Sequence, residues 1–320
     1  MTIGLRRLGQ SDIQLSPIGL GCWQFSQGNG IGGKFWQTLP EDQIAAIVAA
    51  SLAGGINWFD TAEIYGWGKS ETALVHSLRA AGRRPGEVVI ATKWYPVFRT
   101  AASIVATFPQ RQAALEGWPI DLHQVHMPWG CSTRQGEMKA MARLLSEKQV
   151  RAVGVSNFSA SQLRQAHRAL QREGFTLVSN QVRYNLAQRY PDFDDTIQTA
   201  KELGISIIAF SPLAQGLLTG KFHEHPELVR FRVGLRKFMP LFSRRGLART
   251  WPLIQELTRL GQAYQASPAQ VALNWLLSYH GDMVVAIPGA TTTAHAAQNV
   301  GSMAFQLTAA ECRQLADLGR

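Results

Sequence analysis

Four polar residues lie at or just beyond the ends of separate apolar runs, and their types suit proton transfer. Asp60, Lys93 and His126 each end such a run, and Tyr65 follows Asp60 by five residues. In a barrel of parallel strands the C-terminal ends of the strands converge on one face, where chemistry takes place. A carboxylate, a phenol, an amine and an imidazole gathered there predict an acid–base site.

The chemistry of each group indicates a role. Lys93 follows four apolar residues, so an unpaired ammonium would be costly there and Asp60 is its natural partner. A phenol has an unperturbed pKa near ~10, and a nearby cation such as Lys93 would make Tyr65 a better acid. Taken singly, Lys93 also fits a surface lysine, Tyr65 a packing tyrosine and His126 a structural histidine. His123 lies on the other strand face and is predicted to face a helix.

Short apolar runs alternate with helical segments along the chain. A hairpin around residues 5–16 comes first. Eight candidate strands follow, at residues 18–22, 57–60, 88–93, 122–126, 152–156, 177–181, 206–211 and 284–287. Eight strand–helix units predict a (β/α)8 barrel with an N-terminal hairpin cap. The 320 residues could hold two domains, but a barrel of this length is usually one, so a single domain over residues 1–320 is expected.

The predicted helices lie between the strands, and two of them open with a capping box. Ser159 with Gln162, and Ser267 with Gln270, have the spacing of that motif. The segments are residues 41–53, 70–81, 101–116 with a break at Pro109, 135–148, 159–172, 194–203, 267–279, 292–300 and a terminal helix capped by residues 308–311. Residues 221–246 form the longest irregular stretch, and so long a loop is usually functional.

Charge and cysteine content limit the classes of function. The formal charge is +10, and only 17% of residues are charged. Part of the positive charge clusters at Arg230, Arg232, Arg236, Lys237, Arg244, Arg245 and Arg249. This cluster fits a solvated loop and a loop near cofactor phosphates equally well, whereas nucleic-acid binding is disfavoured because no recognition motif accompanies it.

Three widely spaced cysteines, Cys22, Cys131 and Cys312, argue against a disulfide framework or a zinc site, and no metal is expected. The first ten residues lack the apolar core of a signal peptide, and no run approaches the ~18 apolar residues of a membrane span. The sequence therefore predicts a cytoplasmic protein with no membrane partner.

A glycine-rich segment matches a dinucleotide fingerprint only superficially. Residues 28–33 read G-x-G-x-x-G, but the fingerprint must follow a strand and open a helix, and residues 34–40 lack helical periodicity. We interpret the segment as a loop near the rim. Amides at the ends of two strands, at residues 156–157 and 180–181, could bind a planar carboxamide or simply cap loops.

With these motifs the chain resembles the aldo-keto reductase family. The matching stretches are residues 59–66 (FDTAEIYG), 91–93 (ATK), 124–126 (QVH), 154–159 (GVSNFS), 180–181 (NQ), 210–221 (FSPLAQGLLTGK) and 287–289 (IPG), in order along nearly the whole chain. The resemblance implies a (β/α)8 barrel, NADPH as hydride donor and metal-free reduction of a carbonyl substrate. It also implies a catalytic tetrad of Asp60, Tyr65, Lys93 and His126.

The resemblance further implies a cofactor site. Ser156, Asn157 and Gln181 would hold the nicotinamide carboxamide, and Phe210 would stack on the nicotinamide ring. Residues 211–217 would run along the pyrophosphate, with the basic loop after Lys221 covering the cofactor. The remaining predicted contacts are at the rim and the adenosine end. The whole predicted cofactor set is Gly21, Cys22, Trp23, Ser156, Asn157, Gln181, Phe210, Ser211, Leu213, Gln215, Gly216, Leu217, Gly289, Thr291, His295, Gln298 and Asn299.

The chain departs from the family pattern at the adenosine end. His295 lies where an arginine is common and Gln298 where a glutamate is common, although Asn299 fits. The residues after the last strand therefore predict only a modest preference for NADPH over NADH, one that strengthens as pH falls through the titration of His295. Met127 replaces a frequent aromatic or arginine beside the substrate.

The implied activity is reversible, NADPH-dependent interconversion of aldehydes or ketones and alcohols, with Tyr65 as proton donor. Trp23, Trp58, Trp67, Trp94 and Trp129 lie near strand ends and suit either an aromatic substrate pocket or ordinary packing. Two other functions remain open. One is a cofactor-binding regulatory or redox-sensing subunit with weak turnover, and the other is a barrel enzyme of another class, such as a phosphate-binding isomerase.

Overall fold

A barrel of parallel strands forms the centre of the molecule. The computed structural model describes residues 3–30, 35–232 and 237–320. Within these ranges eight parallel strands pair in chain order, from β3 to β10. Their bounds are β3 Leu20–Gly21, β4 Trp58–Asp60, β5 Val89–Trp94, β6 Ile120–Val125, β7 Val150–Ser156, β8 Ser179–Arg183, β9 Ser206–Phe210 and β10 Val284–Ile287. All eight predicted strands are confirmed, to within a few residues at their ends.

The first and last barrel strands are joined by isolated bridges rather than by a continuous ladder. Ile18 pairs with Ala286 and Gly21 with Gly289. Two backbone hydrogen bonds, from the amides of Gly19 and Gly21 to carbonyls of the β10 region, are 2.9 and 3.1 Å long. This seam closes the barrel.

The predicted N-terminal hairpin covers the N-terminal end of the barrel. It consists of β1 Arg6–Arg7 and β2 Gln14–Leu15, which pair in antiparallel register. Leu8, Ile13 and Leu15 join the apolar cluster that fills the barrel interior. The hairpin therefore plugs the N-terminal end of the barrel, and a functional site is expected at the C-terminal end.

Helices surround the sheet and bury a second, larger apolar cluster against it. Their bounds are α1 Glu41–Ala53, α2 Lys69–Ala80, α3 Ala102–Ala106, α4 Phe108–Ala114, α5 Arg134–Ser146, α6 Ala160–Arg172, α7 Thr196–Leu203, α8 Lys221–Glu224, α9 Arg244–Tyr264, α10 Pro268–Tyr279, α11 Thr293–Gly301 and α12 Ala309–Leu318. Both predicted capping boxes are present, at the starts of α6 and α10. None of the described helices is long and apolar enough to cross a membrane.

The stretch after β9 differs from the sequence prediction. It carries short helices at Lys221–Glu224, Pro226–Phe231 and Pro240–Phe242, and α9 begins inside it, at Arg244. The sequence prediction lacks the helix α9, because a basic start and an internal proline, Pro252, argue locally against a helix. Residues 31–33 of the glycine-rich segment, residue 34 after it and Arg236 of the basic cluster lie outside the described residues.

Candidate active site

Asp60 and Lys93 form a buried ion pair at the C-terminal ends of two neighbouring strands. Asp60 is the last residue of β4, and Lys93 lies one residue before the end of β5. The ammonium Nζ is 2.5 Å from Asp60 Oδ1 and donates to the carbonyl of Thr61 at 2.7 Å. The other carboxylate oxygen accepts from Gln181 Nε2 at 2.8 Å. Both oxygens of Asp60 are thus occupied, which fixes its orientation.

The neighbours of Lys93 keep its ammonium charged. Burial by itself would lower the pKa of Lys93, but the adjacent Asp60 carboxylate and Tyr65 outweigh it and raise the pKa above its ordinary value. An ammonium buried without such partners would tend to lose its proton. The site therefore holds a fixed positive charge beneath Tyr65.

The loop of residues 61–68, called here the Tyr65 loop, presents the phenol above Lys93. The Lys93 Nζ lies 5.1 Å from the centroid of the Tyr65 ring, and Trp23 stacks on the ring with centroids 5.9 Å apart. Burial raises the pKa of Tyr65, while the Lys93 charge acts in the opposite direction. Lys93 therefore makes this phenol a stronger acid than burial alone would allow.

His126 follows β6 directly and lies between two tyrosines. Its ring centroid is 5.7 Å from that of Tyr65 and 5.8 Å from that of Tyr95, and both rings meet it edge-on. Burial and then the charge of Lys93 lower the pKa of His126 well below its usual value, so the imidazole is neutral at physiological pH. Its Nδ1 is buried and has no hydrogen-bond partner among the described residues. His123, by contrast, packs edge-on against Phe108 of α4, as predicted.

Ser156, Asn157 and Gln181 lie beside the four residues. Asn157 has φ 62° and donates through Nδ2 to the carbonyl of His126 at 3.2 Å. Ser156 Oγ donates to the backbone carbonyl of Gln181 at 2.9 Å. Asn180, the other amide of this pair, is bonded to the backbone of Phe158 and caps a loop. The structure thus brings the three predicted carboxamide ligands to the same rim as Asp60 and His126.

The turn after β9 has an unusual backbone. Ser211, Ala214 and Gln215 adopt positive φ values of 50°, 48° and 57°. Such conformations are uncommon for residues other than glycine and cluster at functional sites. Asn185, which is buried, donates to the carbonyl of Ser211 at 3.0 Å and holds the turn. Phe210 and Leu213, at the start of this turn, are half-buried.

Some predicted cofactor residues have side chains that are not accessible. Cys22 and Leu217 are fully buried, so only their backbone could meet a ligand. Asn299 is also buried, and its amide donates to the carbonyl of Gly289 at 3.5 Å. Gly21 and Gly289 are bridged to each other at the seam.

The predicted adenosine end includes a lysine that sequence reasoning did not assign to it. Thr291 Oγ1 lies 3.1 Å from His295 Nδ1, and Gln298 is exposed on the same helix, α11. Burial and then the nearby charge of Lys221 lower the pKa of His295. The side chain of Lys221 also passes Gly216, where an added Cβ would lie 3.9 Å from Lys221 Cε. Lys221 therefore lies beside the turn after β9, and its charge is close enough to act on His295 of α11.

The described part of the basic cluster has two kinds of residue. Arg232 donates to the carbonyl of Gln215 at 3.1 Å, and its guanidinium lies 3.7 Å from the centroid of the Phe242 ring. The others, Arg230, Lys237, Arg244, Arg245 and Arg249, are exposed. Arg232 thus supports the turn after β9, whereas the rest form a solvated surface.

The five tryptophans near strand ends differ in burial and in their contacts. Trp58 and Trp94 are core residues whose indole N–H groups donate to Ser16 and Ser103. Trp67 and Trp129 are exposed. Among the five, Trp23 is the one whose ring stacks on a candidate catalytic residue, Tyr65, and its ring also meets those of Trp36 and Phe35. Trp94 accepts a hydrogen bond from the backbone amide of His126 through its own carbonyl.

Known proteins resemble this chain over nearly its whole length. The "Uncharacterized oxidoreductase" of Mycobacterium tuberculosis is 39% identical over 313 residues, covering 96% of this chain and 90% of the relative. The chloroplastic pyridoxal reductase of Arabidopsis thaliana is 31% identical, covering 97% and 85%. Among solved structures, the glycerol dehydrogenase of Gluconobacter oxydans superposes with a TM-score of 0.82 at 26% identity, covering 98% and 94%.

The sequence profile of the Aldo/keto reductase family matches residues 17–320, which include every candidate residue described above. The (β/α)8 barrel is also the fold of the similar solved structures. The chain therefore belongs to the aldo/keto reductase family and is an oxidoreductase.

Proposed function

We propose that this protein reduces aldehydes or ketones with NADPH, using Tyr65 as proton donor, and that the whole chain acts as one barrel unit. The observation that carries the proposal is the buried Lys93–Asp60 pair directly beneath the Tyr65 ring, with neutral His126 beside it. A fixed cation under a phenol is the arrangement that general acid catalysis by tyrosine requires.

The residues of the β9–β10 side of the rim fit a phosphate-rich dinucleotide. The family uses nicotinamide cofactors. Residues 211–221 and 289–299 contain no Asp or Glu, and they supply Lys221, His295 and several hydroxyls. Such a donor set suits an anion. We assign the pyrophosphate to the turn 211–217 and the 2′-phosphate to Lys221, Thr291 and His295, with the carboxamide on Ser156, Asn157 and Gln181. When bound, the reduced nicotinamide supplies a hydride to the carbonyl carbon.

The chain's own groups handle the proton and the carbonyl oxygen. Tyr65 donates its proton to that oxygen, and Lys93, oriented by Asp60, stabilises the phenolate that remains. His126 orients the carbonyl. A proton on its buried Nδ1 would be a donor with no acceptor among the described residues, so we place the proton on Nε2, where it can bond to the substrate.

The walls beside Tyr65 suit a planar aromatic aldehyde. Trp23 stacks on Tyr65, and Phe35 and Trp36 extend this aromatic wall. Offset-stacked and edge-to-face contacts between aromatic rings are favourable. The Arabidopsis relative is named for an aromatic aldehyde, pyridoxal, so pyridoxal and benzaldehydes are the first substrates to try.

A cofactor-binding redox sensor would need the same nicotinamide pocket but not a complete proton-donating group. The full set of Asp60, Tyr65, Lys93 and His126, paired as described, favours turnover. An isomerase of another class is disfavoured by the family match.

Binding and turnover can be measured separately. Titration of the protein's fluorescence with NADPH and NADH tests the cofactor, and loss of NADPH absorbance with a panel of aromatic and aliphatic aldehydes tests the reaction. Cofactor binding with aldehyde-dependent oxidation supports the enzyme. Tight binding without turnover on any aldehyde supports the sensor, and no binding of either nicotinamide refutes both.

A further inference from the structure

We propose that Glu63 is a positioning residue for the proton donor: its buried carboxylate fastens the Tyr65 loop to the end of β5. This inference rests on the proposed function, because the loop carries the proposed acid. Glu63 lies two residues before Tyr65 and is almost fully buried.

The Tyr65 loop runs along β5 and is attached to it at successive positions. The amide of Thr61 donates to the carbonyl of Ala91 at 2.8 Å, and the amide of Glu63 donates to the carbonyl of Lys93 at 3.3 Å. The Glu63 carboxylate then accepts from the amide of Tyr95, the residue at which β5 has already ended. The side chain thus continues the attachment where backbone pairing stops.

Two guanidinium groups make a buried carboxylate tolerable at this position. Arg99 lies 2.5 Å from Glu63 Oε1, and Arg111 lies 3.9 Å from Oε2. Arg111 also pairs with the fully buried Glu71. A buried carboxylate without cations would be strongly unfavourable. These arginines therefore stabilise the Glu63 carboxylate in the position where it accepts the hydrogen bond from the Tyr95 amide.

The consequence for the site is geometric. Glu63 holds the backbone of both the Tyr65 loop and Tyr95, and the rings of Tyr65 and Tyr95 pack on His126. Releasing the carboxylate would let Tyr65 shift relative to Lys93 and His126 together. A misplacement of about 1 Å at a reacting group can cost on the order of 10²-fold in rate.

Three substitutions separate the effect of the hydrogen bond to the Tyr95 amide from the effect of the carboxylate charge. Glu63→Ala removes both, Glu63→Gln keeps an acceptor of the same length for the Tyr95 amide, and Glu63→Asp keeps the charge but shortens the reach. The matched control is Asp121→Ala, a substitution in β6 beside the other end of β5. There, a buried carboxylate likewise accepts from a β5 amide, that of Ile90 at 2.9 Å, and from Arg151 at 2.8 Å.

The readouts are kcat and KM with an aromatic aldehyde, the alkaline limb of the pH–rate profile, and hydrogen–deuterium exchange of residues 61–68. In Glu63→Ala and Glu63→Asp we expect kcat to fall on the order of tenfold or more, KM to change less, and exchange to rise. The alkaline limb should move to higher pH, because Tyr65 slips from the Lys93 cation. Glu63→Gln should retain most of the rate, and Asp121→Ala should lose stability with an unchanged limb.

Unchanged exchange at residues 61–68 in Glu63→Ala or Glu63→Asp would overturn the proposal. So would equal rate losses in Glu63→Gln and Glu63→Ala with the limb moved to lower pH, since charge alone would then be the cause. If wild type reduces no aldehyde, the proposed function fails. The exchange data still decide whether Glu63 fastens the loop, and Glu63→Asp decides it if Glu63→Ala does not fold.

Discussion

Charged residues are paired differently on the β4–β6 side and on the β9–β10 side of the barrel rim. On the β4–β6 side each buried charge has a partner of opposite sign, as in Lys93 with Asp60 and Glu63 with Arg99. On the β9–β10 side, residues 211–221 and 289–299 carry Lys221 and His295 but no acidic residue. The charges on the β4–β6 side are neutralised by other residues of the protein, whereas the positive charge on the β9–β10 side is complementary to an anion.

The difference indicates a division of labour. A preassembled ion-pair network fixes groups that act on a reacting atom, because they need no rearrangement when the reaction begins. A basic surface without acidic residues favours binding of an anion and contributes affinity. Changes on the β4–β6 side should therefore alter rate, and changes on the β9–β10 side should alter binding.

Tyr65→Phe should produce the largest effect. It removes the proposed proton donor with little change in volume, so the rate of reduction should fall roughly 10²–10⁴-fold. Cofactor dissociation constants should stay near those of wild type, because the ring still packs on Trp23. The measurement is kcat alongside a cofactor titration. Retention of more than a small fraction of the normal rate would contradict the assignment of Tyr65 as acid.

Lys93→Met should have a smaller effect that depends on pH. Since the charge of Lys93 acts to lower the pKa of Tyr65, its loss should raise that pKa. The phenol becomes a weaker acid, activity falls most near neutral pH, and the alkaline limb moves to higher pH. The pH–rate profile is the measurement, and a profile that overlays wild type would refute the coupling.

Asp60→Asn tests the same pair from the carboxylate side. It leaves the Lys93 ammonium buried without its main partner, and removing one member of a buried pair costs about 3–5 kcal/mol. We expect a lower midpoint of thermal or urea unfolding and a rate loss in the same direction as that of Lys93→Met. A variant as stable and as active as wild type would show that Lys93 does not depend on Asp60.

Lys221→Met should have the smallest effect on rate and should change binding instead. A charge-assisted hydrogen bond to the 2′-phosphate contributes roughly 1.5–3 kcal/mol, so NADPH affinity should fall more than tenfold while NADH affinity changes little. The matched control is Lys139→Met, which removes an exposed lysine of α5. An unchanged ratio of the two dissociation constants would mean that other groups recognise the phosphate.

The structure also alters the expected role of His295. Burial and Lys221 lower its pKa, so its protonated fraction at neutral pH is smaller than that of a free histidine. The pH-dependent part of the NADPH preference should therefore emerge only below the ordinary histidine pKa of ~6.5, with Lys221 supplying a pH-independent part. The modest preference predicted from the residues after β10 stays a prediction, and Lys221→Met tests it.

The barrel and the positions of Asp60, Lys93 and His126 at its rim could be predicted because their signals are local. Apolar runs such as 88–93 predict strands, and a polar residue at the end of such a run predicts a rim position. The same is true of the capping boxes at Ser159 and Ser267, where the side chain and its partner are three residues apart.

Contacts between distant segments could not be predicted in this way. Gln181 bonds to Asp60 and Lys221 lies near His295, although nothing in their local patterns indicates either contact. Glu63 lies within a recognised motif, yet its function depends on Arg99 and on the amide of Tyr95. The helix α9 is not predicted, because its basic start and internal Pro252 argue locally against a helix, although its buried residues recur at helical spacing.

The bridged seam has a consequence for how the barrel assembles. Gly21 and Gly289 are far apart along the chain, so pairing them requires closing a very long loop. Contacts of such high sequence separation form late and slow the folding reaction. Arg6 of the hairpin donates to the carbonyls of Val284 and Leu277 and so reinforces the same closure from the plugged end. The ring of strands should therefore close last at this seam, and the seam should be the first place at which it reopens.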